Sequence, residues 1–536
     1  MNFNNFHTSH ISTNGLEDEY SKLTSLEHRK KFAQFFTPYA IADLMTKWIL
    51  GNNQLKNVLE PAFGLGIFSR ALLDYKKDVN IKGFEIDDNI YEKSKEIFKD
   101  TENVVIHLQD YMYNDWDNKY DGIICNPPYF KFQNYDNKNV IREIEDRISC
   151  KLNGSTNLYT LFLLKSVYQL NQNGRAAYIV PSEFLNSDYG KLVKSYLIKS
   201  GSLRYIAVIN SEKNVFDNAL TTSSIIFCAK DDKADTVQFS NISTIEDLAK
   251  IENIISSYPD KLPSNQIVKF ENLDPEVKWR RYYQEQNTIK YECLIPFSNY
   301  GKVVRGIATG ANDYFIFNKS KAEELGIQNK YLLPCVCKST DVKRSFFTKD
   351  DFEELQANDK PTFLLNAVSQ ADDFVKKYLA LGEEEGINKK FLTASRNPWY
   401  SLEKRPPAPI WVSVFNRNGL RFIRNEANLS NLTTFHCIYL NLFSEPKKDL
   451  FFAYLLTDVS RQIFNDNRRE YGNGLQKFEP NDINKSKMLN LDHLDKQSED
   501  QILAYYNLYR QSAINKAPDE NLIEEINNIF IKKFLK

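Results

Sequence analysis

Between Asn57 and Lys230, short apolar runs alternate with segments of helical period, and that rhythm is the strongest constraint on the fold. NVLE (Asn57–Glu60), NIKGFEID, NVVIHLQD and DGIIC read as the first four strands, with helices IFSRALLDY and NIYEKSKEIFKD between the earlier ones. LYTLFLLKSVYQL, GRAAYIVP, YGKLVKSYLIKS, LRYIAVI and TTSSIIFCAK continue it, giving about seven strands that end near residue 230. Strands interleaved with helices pair in parallel, because a parallel neighbour is reached only through a crossover, and the helices then cover both faces. Another helix precedes the first strand, with Thr37 as N-cap, Pro38 in its first turn, and Ile41, Leu44, Met45, Trp48 and Ile49 on one face. The pattern predicts a doubly wound α/β domain over residues 1–240, opening with a loose polar lead to about residue 30.

After residue 240 the rhythm breaks. Residues 241–290, with TIEDLAKIENIISSY and a proline-punctuated stretch, read as a linker. Over residues 291–490 short segments alternate with turns, and basic residues sit among aromatics, as in DVKRSFF, NRNGLRFIRNE and DNRREYGNGLQKF. This predicts a second domain of mixed α+β character. Residues 491–536 end in ENLIEEINNIFIKKFLK, a helical segment expected to pack on that domain.

A chain of 536 residues is too long for one core. Its 69 basic residues face 70 acidic ones, so a protein that merely coats nucleic acid is excluded, and any such contact needs a local patch. Seven cysteines show no paired spacing, and Cys335 and Cys337 stand too close for a CxxC site, so neither a disulfide framework nor a metal is expected. No apolar run approaches the ~18 residues of a membrane span. The polar N-terminus lacks the apolar core of a signal peptide. A reduced, cytoplasmic protein is expected. The 30 Tyr and 36 Phe also supply material for stacking on bases.

Ligand chemistry collects at the strand ends. In the turn PAFGLG, Gly64 and Gly66 let the backbone approach a ligand, and Glu85, at the end of the second strand, can accept from both ribose hydroxyls. Dinucleotide sites share this plan, but two details favour S-adenosylmethionine. Arg70 and its neighbours offer no third glycine for a pyrophosphate turn, and Glu60 would repel phosphate while welcoming an α-ammonium. Asp110, ending the third strand, can accept from an adenine amino group. The plainer alternative is that these acids decorate strand ends.

The fourth strand runs into Asn126-Pro127-Pro128-Tyr129, where two prolines end the ladder. The Asn126 side-chain oxygen and the Pro127 carbonyl can hold both hydrogens of an exocyclic amine and aim its lone pair at a sulfonium methyl. Tyr129 offers a ring for the base, which must leave the duplex to reach it. Cys125 reads as a buried strand thiol, not a nucleophile.

QFFTP (34–38), EPAFGLG (60–66), FEID (84–87), QDY (109–111), NPPY (126–129) and NLY (157–159), in this order, resemble the gamma-class N6-adenine DNA methyltransferases, the TaqI-like enzymes of restriction-modification systems. QFFTP ahead of the glycine turn marks that class, and the similarity covers residues 32 to about 230, the rest more loosely. The resemblance implies a class I S-adenosylmethionine-dependent methyltransferase domain followed by a target-recognition domain. It implies site-specific adenine methylation of double-stranded DNA, a possible separate cognate restriction endonuclease, no metal or membrane, and a cytoplasmic, nucleoid-associated protein. Thr37, Glu60, Ala62, Glu85, Asp110 and Pro128 would contact the cofactor, with Pro61, Phe63, Gly64, Gly66, Ile86 and Tyr111 on the same turns. Asn126, Pro127 and Tyr129 would handle the target adenine, with Phe216 as a second aromatic against it. Phe63, Leu65 and Ala33 depart from the common form only in side chain.

In the second domain RREYGNGLQKFEPNDI is expected to bind DNA through Arg468, Arg469, Tyr471 and Lys477, with VRGIATGANDYF next; glycines let loops enter a groove while cations meet phosphates. Three rivals stand. A protein glutamine methyltransferase also uses NPPY but lacks QFFTP and the basic-aromatic domain. A non-catalytic specificity subunit need not keep NPPY and Glu85. A fused nuclease built on Pro259-Asp260 and Glu276-Val277-Lys278 has too little chain to fold.

Overall fold

The computed structural model describes residues 14–130, 138–149, 151–152, 154, 156–209, 222–260, 262, 266–367, 371–416, 419–470 and 476–536. Residues up to Glu285 form the bulk of one compact unit, and those from Gln286 onward the bulk of another. The first is built on a nine-stranded sheet: β1 (Asn57–Glu60), β2 (Asn80–Glu85), β3 (Val104–Leu108), β4 (Tyr120–Cys125), β5 (Leu170–Pro181), β6 (Leu203–Ile209), β7 (Ser223–Ala229), β8 (Thr236–Ile242) and β9 (Ile267–Lys269). Their order is β3-β2-β1-β4-β5-β7-β6-β8-β9. The strands from β3 through β5 run parallel, β7 is antiparallel to both neighbours, and β8 is parallel to β6. The chain winds outward from β1 in one direction and from β4 in the other. A crevice therefore opens at the carboxyl ends of β1 and β4, where ligands of open α/β sheets bind.

Strand residues divide by parity between two cores. Leu59, Ile123, Cys125, Tyr178 and Val180 face one side with the helix Leu158–Gln169. Val58, Ile124, Ala177 and Ile179 face the other with the helix Tyr39–Leu50. Both faces are covered, which is why β6 and β7 read as largely apolar runs, and every position of both is buried, Arg204, Ser223 and Ser224 included.

The linker expected at 241–290 is not one. β8 and β9 extend the sheet, the helix Ile245–Ser256 buries Leu248, Ile251 and Ile255, and Trp279 and Tyr283 enter the opposite core. TVQF carries the alternation of a strand, and Pro259 and Pro275, which suggested a linker, fall in the short connections. The expected lead is also corrected: from Gly15 the chain forms helices Gly15–Leu23 and Leu26–Lys31. Pro38, not Thr37, caps the helix that begins at Tyr39.

The second unit is α+β. A five-stranded sheet (Gly301–Arg305, Phe346–Phe347, Ile410–Ser413, Phe422–Asn425, Phe435–Leu440) accompanies a smaller four-stranded one. Residues 491–536 are not an appendage. Ile502, Tyr506, Ile526, Phe530 and Phe534, from helices Lys496–Ile514 and Glu520–Phe534, belong to its main core beside the wholly buried helix face of Leu450–Leu456.

Candidate active site

The glycine turn puts backbone where side chains would stand. Gly66 (φ +69°) caps the helix Ile67–Tyr75, and a side chain there would meet the rings of Phe98 and Phe63. Gly64 (φ +54°) has nothing within 4 Å of its missing Cβ and donates its N–H to Glu85 Oε2 at 2.9 Å. Glu85 Oε1 accepts from Ile86 N (2.8 Å) and Asp87 N (2.9 Å). Three amides thus hold this carboxylate at the end of β2, and burial still pushes its pKa above the usual value. At the end of β3, Asp110 caps the turn Tyr111–Tyr113 by accepting from Met112 N at 2.8 Å. Tyr111 is buried and donates to Gln169, so the turn is moored to the helix Leu158–Gln169.

One cavity gathers most of the expected residues. Glu60, at the end of β1, and Pro61, Ala62, Phe63 and Gly64 of the turn line it, with Glu85 and Ile86 at the carboxyl end of β2, Asp110 and Tyr111 just past β3, and Asn126 and Pro128 just past β4; Thr37 joins them. Gly66 shapes the turn from behind, while Pro127 and Tyr129 lie beside the cavity lining. Glu60 is 1% exposed; its Oε2 accepts from the Ser69 amide (3.0 Å) and hydroxyl, but its Oε1, also buried, has no hydrogen-bond partner among the described residues. Burial raises its pKa to about 8, with the Ser69 bonds and Arg70 opposing.

Asn126 is the second polar group left open. Its Nδ2 donates to Phe35 O (2.8 Å) and Thr37 Oγ1 (3.0 Å), so both donors of the amide are used within the QFFTP segment. Its Oδ1 is buried and, among the described residues, unpartnered. Losing the cap position frees the Thr37 hydroxyl for this bond. Tyr129 lies under Phe35, rings stacked at 5.7 Å and 17°, and against Tyr159 of NLY edge-on. Cys125 is fully buried and its thiol is pushed well above the usual range, as a strand thiol should be.

The segment ahead of QFFTP is part of the site, which the sequence reading missed. Phe32 to Phe36 and Glu17 line the same cavity. Asp87, buried behind Glu85, receives Gln34 Nε2 at 2.6 Å and lies 2.7 Å from His28 Nε2. These contacts span more than fifty residues and polar ones at that, so no periodicity announces them.

Phe216 and Tyr471 lie outside the described residues, as does the Arg469 side chain, although Arg469–Glu470 forms a short strand. Arg468 precedes that strand. Lys477 stands 2.7 Å from Glu479, which also holds Arg305 at 2.7 Å and has its pKa drawn down to about 2; burial opposes the two cations there.

Two family models match the chain: "Eco57I restriction-modification methylase" over residues 16–216, and "Type II methyltransferase M.Eco57I, C-terminal domain" over residues 280–522. The chain is 63% identical over 529 residues to the type II methyltransferase M.AccI of Acinetobacter calcoaceticus, covering 98% of each. With M.HindII of Haemophilus influenzae it shares 24% identity over 476 residues, 82% of this chain and 83% of the relative. Among solved structures, the type ISP restriction-modification enzyme LlaGI shares the fold (TM-score 0.53, 13% identity, 90% of this chain and 47% of that one).

Two predictions follow the geometry of the turn and of Glu60. Gly66→Ala meets Phe98 and Phe63 atoms at 2.5 and 2.7 Å and should lower stability in urea by more than the left-handed conformation alone, about 1–2 kcal/mol. Gly64→Ala bears only that conformational cost, and its methyl enters the cavity, so ligand affinity takes the larger loss; equal effects of the two on both readouts would contradict this. Glu60 moves from the ordinary 4.5 to about 8 on folding, so proton binding favours the folded chain. Its stabilising share is full below pH 4.5 and lost as pH rises through about 8. Denaturation midpoints of the ligand-free protein should therefore fall relative to Glu60→Gln from roughly pH 5 to pH 9, and parallel profiles would contradict it.

Proposed function

We propose that this chain, which belongs to the DNA methyltransferases of type II restriction-modification systems, uses S-adenosylmethionine to methylate the exocyclic amino group of an adenine flipped out of duplex DNA. The observation that carries the reading is a pair of buried oxygens without partners among the described residues, Glu60 Oε1 and Asn126 Oδ1, in the walls of one cavity. A buried acceptor left unsatisfied calls for an explanation, whether a water, an ion, a ligand or a catalytic role, and these two share the wall of one cavity. Here one is a carboxylate suited to an ammonium and the other a neutral amide oxygen suited to an amine.

The residues fit the cofactor. Glu60 Oε1 can take its α-ammonium. Glu85 is held by amides yet keeps lone pairs for two ribose hydroxyls. Asp110 stands ready for the adenine amino group, and the backbone at Gly64 leaves room for the chain between them. When bound, S-adenosylmethionine supplies a methyl group on a positively charged sulfur. Asn126 Oδ1 and the Pro127 carbonyl accept the two hydrogens of the target amine, which keeps its lone pair out of the ring and available. As positive charge develops on that nitrogen, the same two oxygens stabilise it without reorganising, because the prolines fix one and the Phe35 and Thr37 bonds fix the other. Tyr129, stacked under Phe35 on one face, would offer the other to the base.

Adenine, rather than another amine, is supported by NPPY standing with QFFTP ahead of the glycine turn. A protein glutamine methyltransferase would use the same two acceptors, but nothing in the second unit's basic-aromatic loops favours it. We assign DNA reading to that unit, with Arg468, Arg469 and Lys477 as its first candidates, and keep Tyr471, which lies between Arg469 and Lys477 in sequence, as a further one.

DNA treated with the protein and digested to nucleosides should contain N6-methyladenine by mass; 4-methylcytosine, or no methylated base, contradicts the assignment. Asn126→Ala should slow single-turnover methylation on the order of 10²-fold or more while cofactor affinity barely changes. Loss of cofactor binding with methylation intact would contradict the role given to Asn126.

A further inference from the structure

Glu17 is an acid where the sequence offers no reason to bury one. It lies in the polar N-terminal stretch, yet it is 2% exposed and lines the same cavity as Glu60. The helix that carries it, Gly15–Leu23, is held down at two points. Asn14, at its N-terminus, spends its amide on the neighbouring segment, donating to Thr37 O (2.8 Å) and accepting from Tyr39 N (2.7 Å). Tyr20, one turn after Glu17 and on the same face, is buried against Leu65 and Ile90 and donates to Gln34 Oε1 at 3.3 Å. Glu17 is thereby pinned over the glycine turn by contacts that do not depend on its own charge.

One of its oxygens has a task and the other has none. Oε1 pairs with the buried Arg70 guanidinium. Oε2 is buried and has no hydrogen-bond partner among the described residues. A carboxylate present only to neutralise Arg70 has no need to line the cavity or to leave an oxygen unsatisfied. Arg70 also acts on Glu60. Glu17, Glu60 and Arg70 therefore form a group of two acids and one base, each at most 3% exposed, with an unused oxygen on each acid. With both acids ionised, as they would be beside a bound cation, the group lacks one positive charge. Burial raises the pKa of Glu17 as it does that of Glu60, with Arg70 opposing in both.

We propose that Glu17 is a cofactor-binding residue whose Oε2 joins Glu60 Oε1 in receiving the α-ammonium of S-adenosylmethionine, making the helix Gly15–Leu23 a wall of the occupied site. The proposal rests on the cofactor reading above and adds to it a second carboxylate from outside the strand-end motifs. It explains why the chain builds a buried acid into a polar lead, and why Asn14 and Tyr20 fasten that lead to the 34–39 segment.

The test separates the amino-acid end of the ligand from its nucleoside end. S-adenosylhomocysteine carries the ammonium; 5′-methylthioadenosine keeps the adenosine and thioether but lacks it. Both are titrated calorimetrically into the full-length protein and into Glu17→Gln, which retains an oxygen for Arg70. Glu17→Gln should bind S-adenosylhomocysteine weaker by on the order of tenfold or more, the loss of a charge-assisted bond, and methylthioadenosine unchanged. Glu17→Asp keeps the charge but draws it back, and should show the same selective loss, so it carries the test if the Gln variant does not fold. In the unaltered protein, hydrogen exchange of residues 15–23 should slow with S-adenosylhomocysteine and not with methylthioadenosine. Equal loss of both ligands, or of neither, overturns the role of Glu17. Failure of the unaltered protein to bind either ligand overturns the cofactor reading itself.

Discussion

The amide of Asn126 cannot turn over, and the chemistry proposed for the site depends on that. Its nitrogen donates to a backbone carbonyl, Phe35 O, and to the Thr37 hydroxyl. Reversed, the amide would set its oxygen against the Phe35 carbonyl, two acceptors at a distance that suits only a donor and an acceptor. The QFFTP segment is thus the clamp that decides which end of the Asn126 amide faces the cavity. It leaves an acceptor facing the cavity, where the opposite orientation would offer a donor and would repel an amine's hydrogens.

The clamp works only because the sheet and the N-terminal segment are built around it. β4 delivers Asn126 at the point where strand order reverses, and two prolines stop the strand there. Asp87, one residue beyond the FEI of β2's end, holds Gln34 and lies against His28, so the second strand positions the clamp that orients a residue of the fourth. Tyr20 and Asn14 fasten the same segment from the other side. A buried acceptor left without a partner costs about 1–3 kcal/mol. The chain leaves such acceptors on Glu17, Glu60 and Asn126 around one cavity, an expense borne by the two cores packed against the sheet.

The legible part of this plan was the part written in local pattern. β1 to β7 show in apolar runs and turn signals, and a residue at a strand's carboxyl end in a doubly wound sheet needs no contact map to be suspected. Glu60, Glu85, Asp110 and Asn126 all fall in that class, and the structure gathers them in one cavity. What escaped depends on partners far along the chain. Glu17 meets Arg70 and Gln34 meets Asp87 across more than fifty residues, and neither lies in an amphipathic pattern. The domain border escaped because β8 and the helix Ile245–Ser256 follow the seventh strand without a crossover rhythm, and the prolines near residue 260 outweighed them in the reading. In the second unit the Lys477–Glu479–Arg305 cluster pairs a cation marked for DNA with an acid of the same loop, a relation that counting basic residues does not reveal.

The most direct test of the account is a crystal structure with a non-reactive cofactor analogue and a methylatable duplex. The account predicts the target adenine extrahelical on Tyr129, its exocyclic nitrogen at hydrogen-bond distance from Asn126 Oδ1 and the Pro127 carbonyl, and Asn126 Nδ2 still on Phe35 O and Thr37 Oγ1. A base bound with the Asn126 amide turned over, or with its amino group held elsewhere, would contradict it.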